Sequence, residues 1–111
     1  MIRKASEAID LNYIRSLANK IKEKFHPQKI ILFGSYAYGT PQKGSDLDFL
    51  VVMDTDLKPY KQSAIIRQAL DESFGVLFPI DIIVRTPAEM QKRMAEGDFF
   101  IRHILAKGMF L

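Results

Sequence analysis

The stretch Gly34-Ser35-Tyr36-Ala37-Tyr38-Gly39 is followed, after five residues, by Ser45-Asp46-Leu47-Asp48-Phe49-Leu50-Val51. Asp46 and Asp48 alternate with the apolar Leu47 and Phe49. Residues two apart in a strand point to the same face and lie roughly 7 Å apart along the chain. The two carboxylates therefore project together, while Leu47 and Phe49 point the other way, into a core. Paired carboxylates repel each other and lose hydration when they are brought together, unless a cation neutralises them. Oxygen-only ligands favour a hard ion, Mg²⁺ or Mn²⁺, over zinc.

Asp81 interrupts an apolar run, Pro79-Ile80-Asp81-Ile82-Ile83-Val84-Arg85. An acid in such a run is unexpected, and it supplies a third ligand if its strand lies beside the one bearing Asp48. Gly34 permits a sharp turn and a close backbone approach to a ligand. Ser35 offers a hydroxyl and an amide at the start of a short helix, a favourable place for a phosphate. Ser45 stands directly before the acid pair and is grouped with the nucleotide-binding residues. It caps or orients the loop, because no histidine lies nearby in sequence to make it a nucleophile. The plainer alternatives are a solvated acid pair before a strand, an edge-strand acid at Asp81 and an ordinary strand-to-helix turn at Gly34-Ser35.

These residues need elements to hold them. Leu11, Ile14, Leu17, Ala18, Ile21 and Phe25 recur at helical spacing, so a first helix is expected from Ile9 to Phe25, capped by Ser6 or Asp10 and ended by His26-Pro27. Lys29 to Phe33 reads as a strand buried on both faces. Tyr36 to Ser45 is turn-rich, with one helical turn at most, and Asp46 to Met53 is a second strand. Ile66, Leu70 and Phe74 mark a helix from Pro59 that Gly75 terminates. Pro79 to Arg85 is a third strand, and Thr86-Pro87-Ala88-Glu89 is a capping box that starts another helix. A short helix from Gly97-Asp98 to Ala106 and an edge strand at 109–111 complete an α/β (α+β) domain, a small mixed sheet with helices packed against it.

The 111 residues suit a single domain over 1–111, with its core from about residue 11. Hydrophobic residues make up 48% and charged residues 26%, with no cysteine, which excludes a disulfide framework and thiolate chemistry. No apolar run is long enough for a membrane span and the N-terminus lacks a signal-peptide pattern, so a cytoplasmic protein with no membrane role is expected. The net charge of +3 is spread along the chain, so it fits phosphate-bearing ligands or an acidic partner, and direct nucleic-acid binding is not expected. His26 and His103 have no metal-ligand spacing between them. Tyr36 and Tyr38 either stack on a base, touch a partner or pack around the loop. The apolar Phe99, Phe100, Ile101 and Leu105 are read as core, with a partner or homo-oligomer surface left open.

The pattern Gly-Ser, three residues, Gly, then Ser-Asp-x-Asp on a strand resembles the signature of the polymerase-β-type nucleotidyltransferase superfamily, above all its minimal nucleotidyltransferase (MNT) branch. The resemblance runs from about Leu11 to the C-terminus. It implies a nucleotidyltransferase fold in which Gly34 and Ser35 hold the β- and γ-phosphates of ATP. It also implies that Asp46, Asp48 and Asp81 bind two Mg²⁺ ions roughly 3.5–4 Å apart, with Asp81 helping to activate the attacking hydroxyl. The MNT branch is commonly paired with a HEPN toxin. The resemblance thus implies an antitoxin of type VII-like action that moves AMP onto a toxin tyrosine. Transfer to a small molecule such as an aminoglycoside, or a non-catalytic binding module, remains the alternative. The chain departs from the pattern at Tyr36 and Tyr38, where many members carry arginine; Lys43 is a candidate to supply the charge.

Overall fold

The computed structural model describes residues 9–39, 41, 44–76 and 78–111. Ser6 and Lys43 lie outside the described residues, as does the N-terminal segment read for a signal peptide. The elements run α1 (Leu11–Phe25), β1 (Lys29–Phe33), α2 (Ser35–Tyr38), β2 (Leu47–Val52), α3 (Pro59–Phe74), β3 (Ile80–Arg85), α4 (Pro87–Ala95), α5 (Phe99–Lys107) and β4 (Met109–Phe110).

Local chemistry accounts for most of these boundaries. The Asp10 carboxylate accepts a hydrogen bond from the Tyr13 amide at 2.8 Å and caps α1. Ile9 therefore lies before the helix, where it joins Ile14 in the same buried cluster, the N′–N4 pairing that fixes how a chain enters a helix. His26 closes α1 in the left-handed region, φ 50°, and Pro27 follows. Thr86 and Glu89 form the reciprocal capping box of α4, each bond at 3.1 Å. Asp98 caps α5 through the Ile101 amide at 3.0 Å and is held from behind by Arg93 at 3.0 Å. The amide bond foremost, and then Arg93, keep the Asp98 carboxyl below its usual range. At the other end of α5, a side chain on Gly108 would run into the Ile104 carbonyl and Ile31, so only glycine lets the chain fold back so tightly into β4.

The strands form one four-stranded sheet in the order β3-β2-β1-β4. β1 pairs antiparallel with both β2 and β4, and β2 pairs parallel with β3. The sheet is mixed, as expected, and β3 and β4 are its two edge strands. The alternation of side chains then sorts two cores. Ile30, Leu32, Leu47, Phe49, Val51, Ile82 and Val84 face α1 and α3, with Leu17, Ile21, Ile66 and Leu70 packed onto them. Ile31, Phe33, Leu50 and Val52 face the other way, against Met90 of α4 and Ile101 and Ile104 of α5. Three layers result, two helices on each side of the sheet. No helix among the described residues is long and apolar enough to cross a membrane.

Candidate active site

Asp48 is the second residue of β2, and its Cα partners are Phe33 at the end of β1 and Asp81 of β3. Direct partners in neighbouring strands share a face and stand about 4.8 Å apart. One row thus reads Phe33, Asp48, Asp81 across three strands, on the α4/α5 side of the sheet and at its β2/β3 N-terminal end. The two aspartates lie together because β2 and β3 pair in parallel with zero offset. A slip of one residue would have sent Asp81 to the opposite face.

Asp46 precedes the strand, which begins at Leu47 where the Leu47 amide donates to the Pro79 carbonyl at 3.0 Å. The strand reading from Asp46 is thus one residue long at its start, and the ladder has no partner there for it. Asp46 is exposed, Asp48 half-buried and Asp81 exposed. Burial raises the Asp48 pKa first, and the charges of Asp81 and then Asp46 raise it further, to about 6. All three acids therefore act on one electrostatic locus. Among the described residues no three ligating side chains form a closed group ready to grip an ion. Mutual repulsion works against such closure, and only a counter-charge offsets it.

The glycine-serine turn lies against this row. Gly34 is the N-cap of α2 with φ 76° and ψ −160°, a conformation that a side chain resists. A Cβ built on it would collide with Asp48 Oδ2 and come within 3.2 Å of Asp48 Cγ. Glycine is required twice over, by dihedral and by space, and the backbone of the turn touches the carboxylate. Ser35 and Tyr36 are the first residues of α2, and helix geometry gives their amides no intrahelical acceptor. The Gly34 carbonyl takes the amides of Ala37 and Tyr38 at 3.0 and 3.1 Å. Donors without intrahelical acceptors and a hard-oxygen acid pair in van der Waals contact suit a polyphosphate bridged to a divalent cation. The donor set fits Mg²⁺ in kind, with Asp46, Asp48 and Asp81 as the residues able to hold it.

The remaining loop residues divide. Ser45 is half-buried and has an interaction partner. The Tyr36 hydroxyl accepts from the Ile9 amide at 3.3 Å and its ring joins the α1/α3 core, so it packs. Tyr38 instead turns outward, 40% exposed, with its ring edge-on to His103 of α5 at 5.4 Å. His103 lies exposed on α5, and its pairing with Tyr38 was not foreseen from the sequence. Phe99 and Phe100, read as core, are instead 86% and 52% exposed, and the Phe100 ring meets that of Phe33 at 5.7 Å. Neither ring contact carries a local signal, since each joins residues more than sixty positions apart.

Comparison with known proteins bears on this geometry. The profile of the nucleotidyltransferase domain family matches residues 14–106. A Methanocaldococcus jannaschii protein that bears the name protein adenylyltransferase is 47% identical over 45 residues, 39% of this chain and 45% of that protein. The chain thus matches less than half the length of that relative. A chain from the structure of a mutant of the toxin–antitoxin MntA–HpeT superposes with a TM-score of 0.56 at 21% identity, covering 94% of this chain and 72% of that one. The BolA domain of SufE1 from Arabidopsis thaliana gives 0.53 at 20% identity over 74% of this chain and 99% of that domain. At such identities these superpositions speak for the fold alone. The last two come from proteins with different names, so chemistry has to be read from the acids and the turn.

Proposed function

The chain belongs to the nucleotidyltransferase domain family, and on that premise we propose that it moves AMP from ATP onto a hydroxyl of a protein, a tyrosine of a HEPN-type toxin, and so acts as an antitoxin. The observation that carries this reading is the side-by-side placement of Asp48 and Asp81, with the Gly34 backbone pressed against Asp48. The adenylyltransferase name of the M. jannaschii relative and the toxin–antitoxin neighbour support the choice of reaction and partner.

Asp46, Asp48 and Asp81 would hold the divalent cations. When bound, such ions neutralise triphosphate charge and polarise the reacting phosphoryl group. The chain's own residues supply the rest. The amides at Ser35 and Tyr36 and the Ser35 hydroxyl grip the β- and γ-phosphates, and Ser45 shapes the loop beneath. Asp81, exposed at the outer strand, takes the proton of the incoming hydroxyl. The acceptor oxygen bonds to the α-phosphorus, the bond to the bridging oxygen breaks, and pyrophosphate leaves with that electron pair. Asp46 and Asp48 would act on the triphosphate only through the cations they hold, which keep it from drifting.

The test is transfer of label from α-labelled ATP, with Mg²⁺ and a purified HEPN-type protein as acceptor. Label on that protein is expected, with at least a hundredfold loss in Asp48→Asn, about 3 kcal/mol of barrier. Label on an aminoglycoside in place of the protein would move the reading to a small-molecule acceptor. Transfer at the wild-type rate in Asp48→Asn would end the mechanism.

A further inference from the structure

Phe99 and Phe100 open α5, and both face solvent: Phe99 is 86% exposed and Phe100 52%. Single exposed apolar residues are common, but a nearly bare phenylalanine beside a half-bare one is not readily explained by folding. The start of α5 is also rigidly set. The Asp98 cap and its Arg93 partner fix the backbone of the first turn from which the two rings project.

The face they begin continues along the helix. Phe99, His103 and Lys107 recur every four residues and share one side of α5 over about 12 Å. His103 reaches across to Tyr38, the last residue of the helix that starts at the phosphate turn. Phe100 reaches Phe33, the strand partner of Asp48. The strip is therefore continuous with the acid row on one side and with the phosphate turn on the other. The charged residues of α5 itself, Arg102 and Lys107, are both basic and exposed, and the Asp98 carboxylate just before it is paired with Arg93.

An acceptor hydroxyl has to reach the row of Asp48 and Asp81, so whatever carries it must rest on the rim of that row. We propose that the Phe99–His103–Lys107 face of α5, with Phe100 and Tyr38, is where the acceptor protein docks. That partner presents an apolar patch flanked by carboxylates. The inference rests on the nucleotidyl-transfer reading above and names the surface that selects the acceptor. A nucleobase is too small to cover a strip of this length, and apolar rings beside cationic ends match a protein surface of opposite charge.

Phe99 is so exposed that Phe99→Ser leaves the core untouched, and an unchanged Tm checks this. With a HEPN-type acceptor protein that takes label from the wild type as probe, Phe99→Ser should raise its KM at least tenfold while kcat stays within twofold. Lys107→Glu should raise KM severalfold and flatten its dependence on salt. The affinity for MgATP, read by calorimetry, should stay constant in both variants. An unchanged KM in the double variant Phe99→Ser/Phe100→Ser would overturn the proposal. So would a parallel loss of MgATP affinity, which would make the rings a base platform, or loss of self-association or of binding to phosphatidylserine vesicles in place of the KM effect. Sedimentation of the two proteins separates this inference from the enzymatic one. A Phe99-dependent complex without label transfer would uphold the docking surface and refute the reaction, and neither complex nor label would refute both.

Discussion

Leu47 and Phe49 are wholly buried against α1 and α3, while Asp48 between them faces the other side of the sheet. The two faces of β2 thus obey opposite rules within three residues. The first holds only apolar side chains, each gaining free energy from leaving water. The second is equally apolar along Leu50 and Val52 but gives up its last row to Asp48 and, on β3, to Asp81. There the Asp48 carboxyl loses stability through burial and through the like charges beside it. One face holds the strand in place, and that support lets the other carry a destabilised group.

Removing the supporting face should have the largest effect on stability. Phe49→Ala deletes a fully buried ring from the α1/α3 core and should lower stability by about 3–5 kcal/mol. Chemical denaturation would show it as a fall in the midpoint with little change in slope, and transfer should drop only in proportion to the unfolded fraction. A loss confined to activity in that variant would contradict the division between the faces.

Gly34→Ala attacks the joint between the two. The new methyl group must displace the Asp48 carboxylate and also occupy a left-handed φ, so a cost of about 1–2 kcal/mol is expected. Thermal stabilisation by Mg²⁺ should vanish with it, since the carboxylate moves. Retention of the wild-type Mg²⁺-induced shift in Tm would mean that Asp48 does not contribute to the ion site.

The smallest effect sharpens the comparison through pH. Asp48 has a folded pKa of about 6 against 3.8 for the ordinary value, so the folded state binds this proton more tightly. Its favourable contribution is complete below pH 3.8 and is lost as pH rises through 6. Asp48→Asn should therefore be more stable than the wild type at pH 7.5, by about 1 kcal/mol once solvent screening of this half-exposed group is allowed for. The advantage should vanish near pH 4. Adding Mg²⁺ at pH 7.5 should reverse the ranking, because only the wild type binds the ion well. A difference independent of pH would show that neither burial nor the neighbouring carboxylates raise the Asp48 carboxyl.

Much of this was legible along the chain. The caps at Asp10, Thr86 and Asp98, the stop at Gly75 and the strand Lys29–Phe33 all follow from local rules, since a cap or a turn is decided by three or four neighbouring residues. The start of β2 was misplaced by one residue because a strand end depends on where its partner's ladder begins. The contacts Tyr38–His103 and Phe33–Phe100 left no trace in the sequence, as each needs α5 to fold back over β1.

The amino-acid order alone decided that Asp48 faces away from Leu47 and Phe49, because alternation is a property of any single strand, whereas Asp46 lies one residue before the ladder. It also decided that a glycine-serine turn precedes them and that Asp81 is out of place in an apolar run. Only the tertiary structure decided that β2 and β3 are neighbours, parallel and in register, so that Asp81 stands beside Asp48. Pairing between strands nearly thirty residues apart is set by how the two cores pack on either face, and no local preference specifies it.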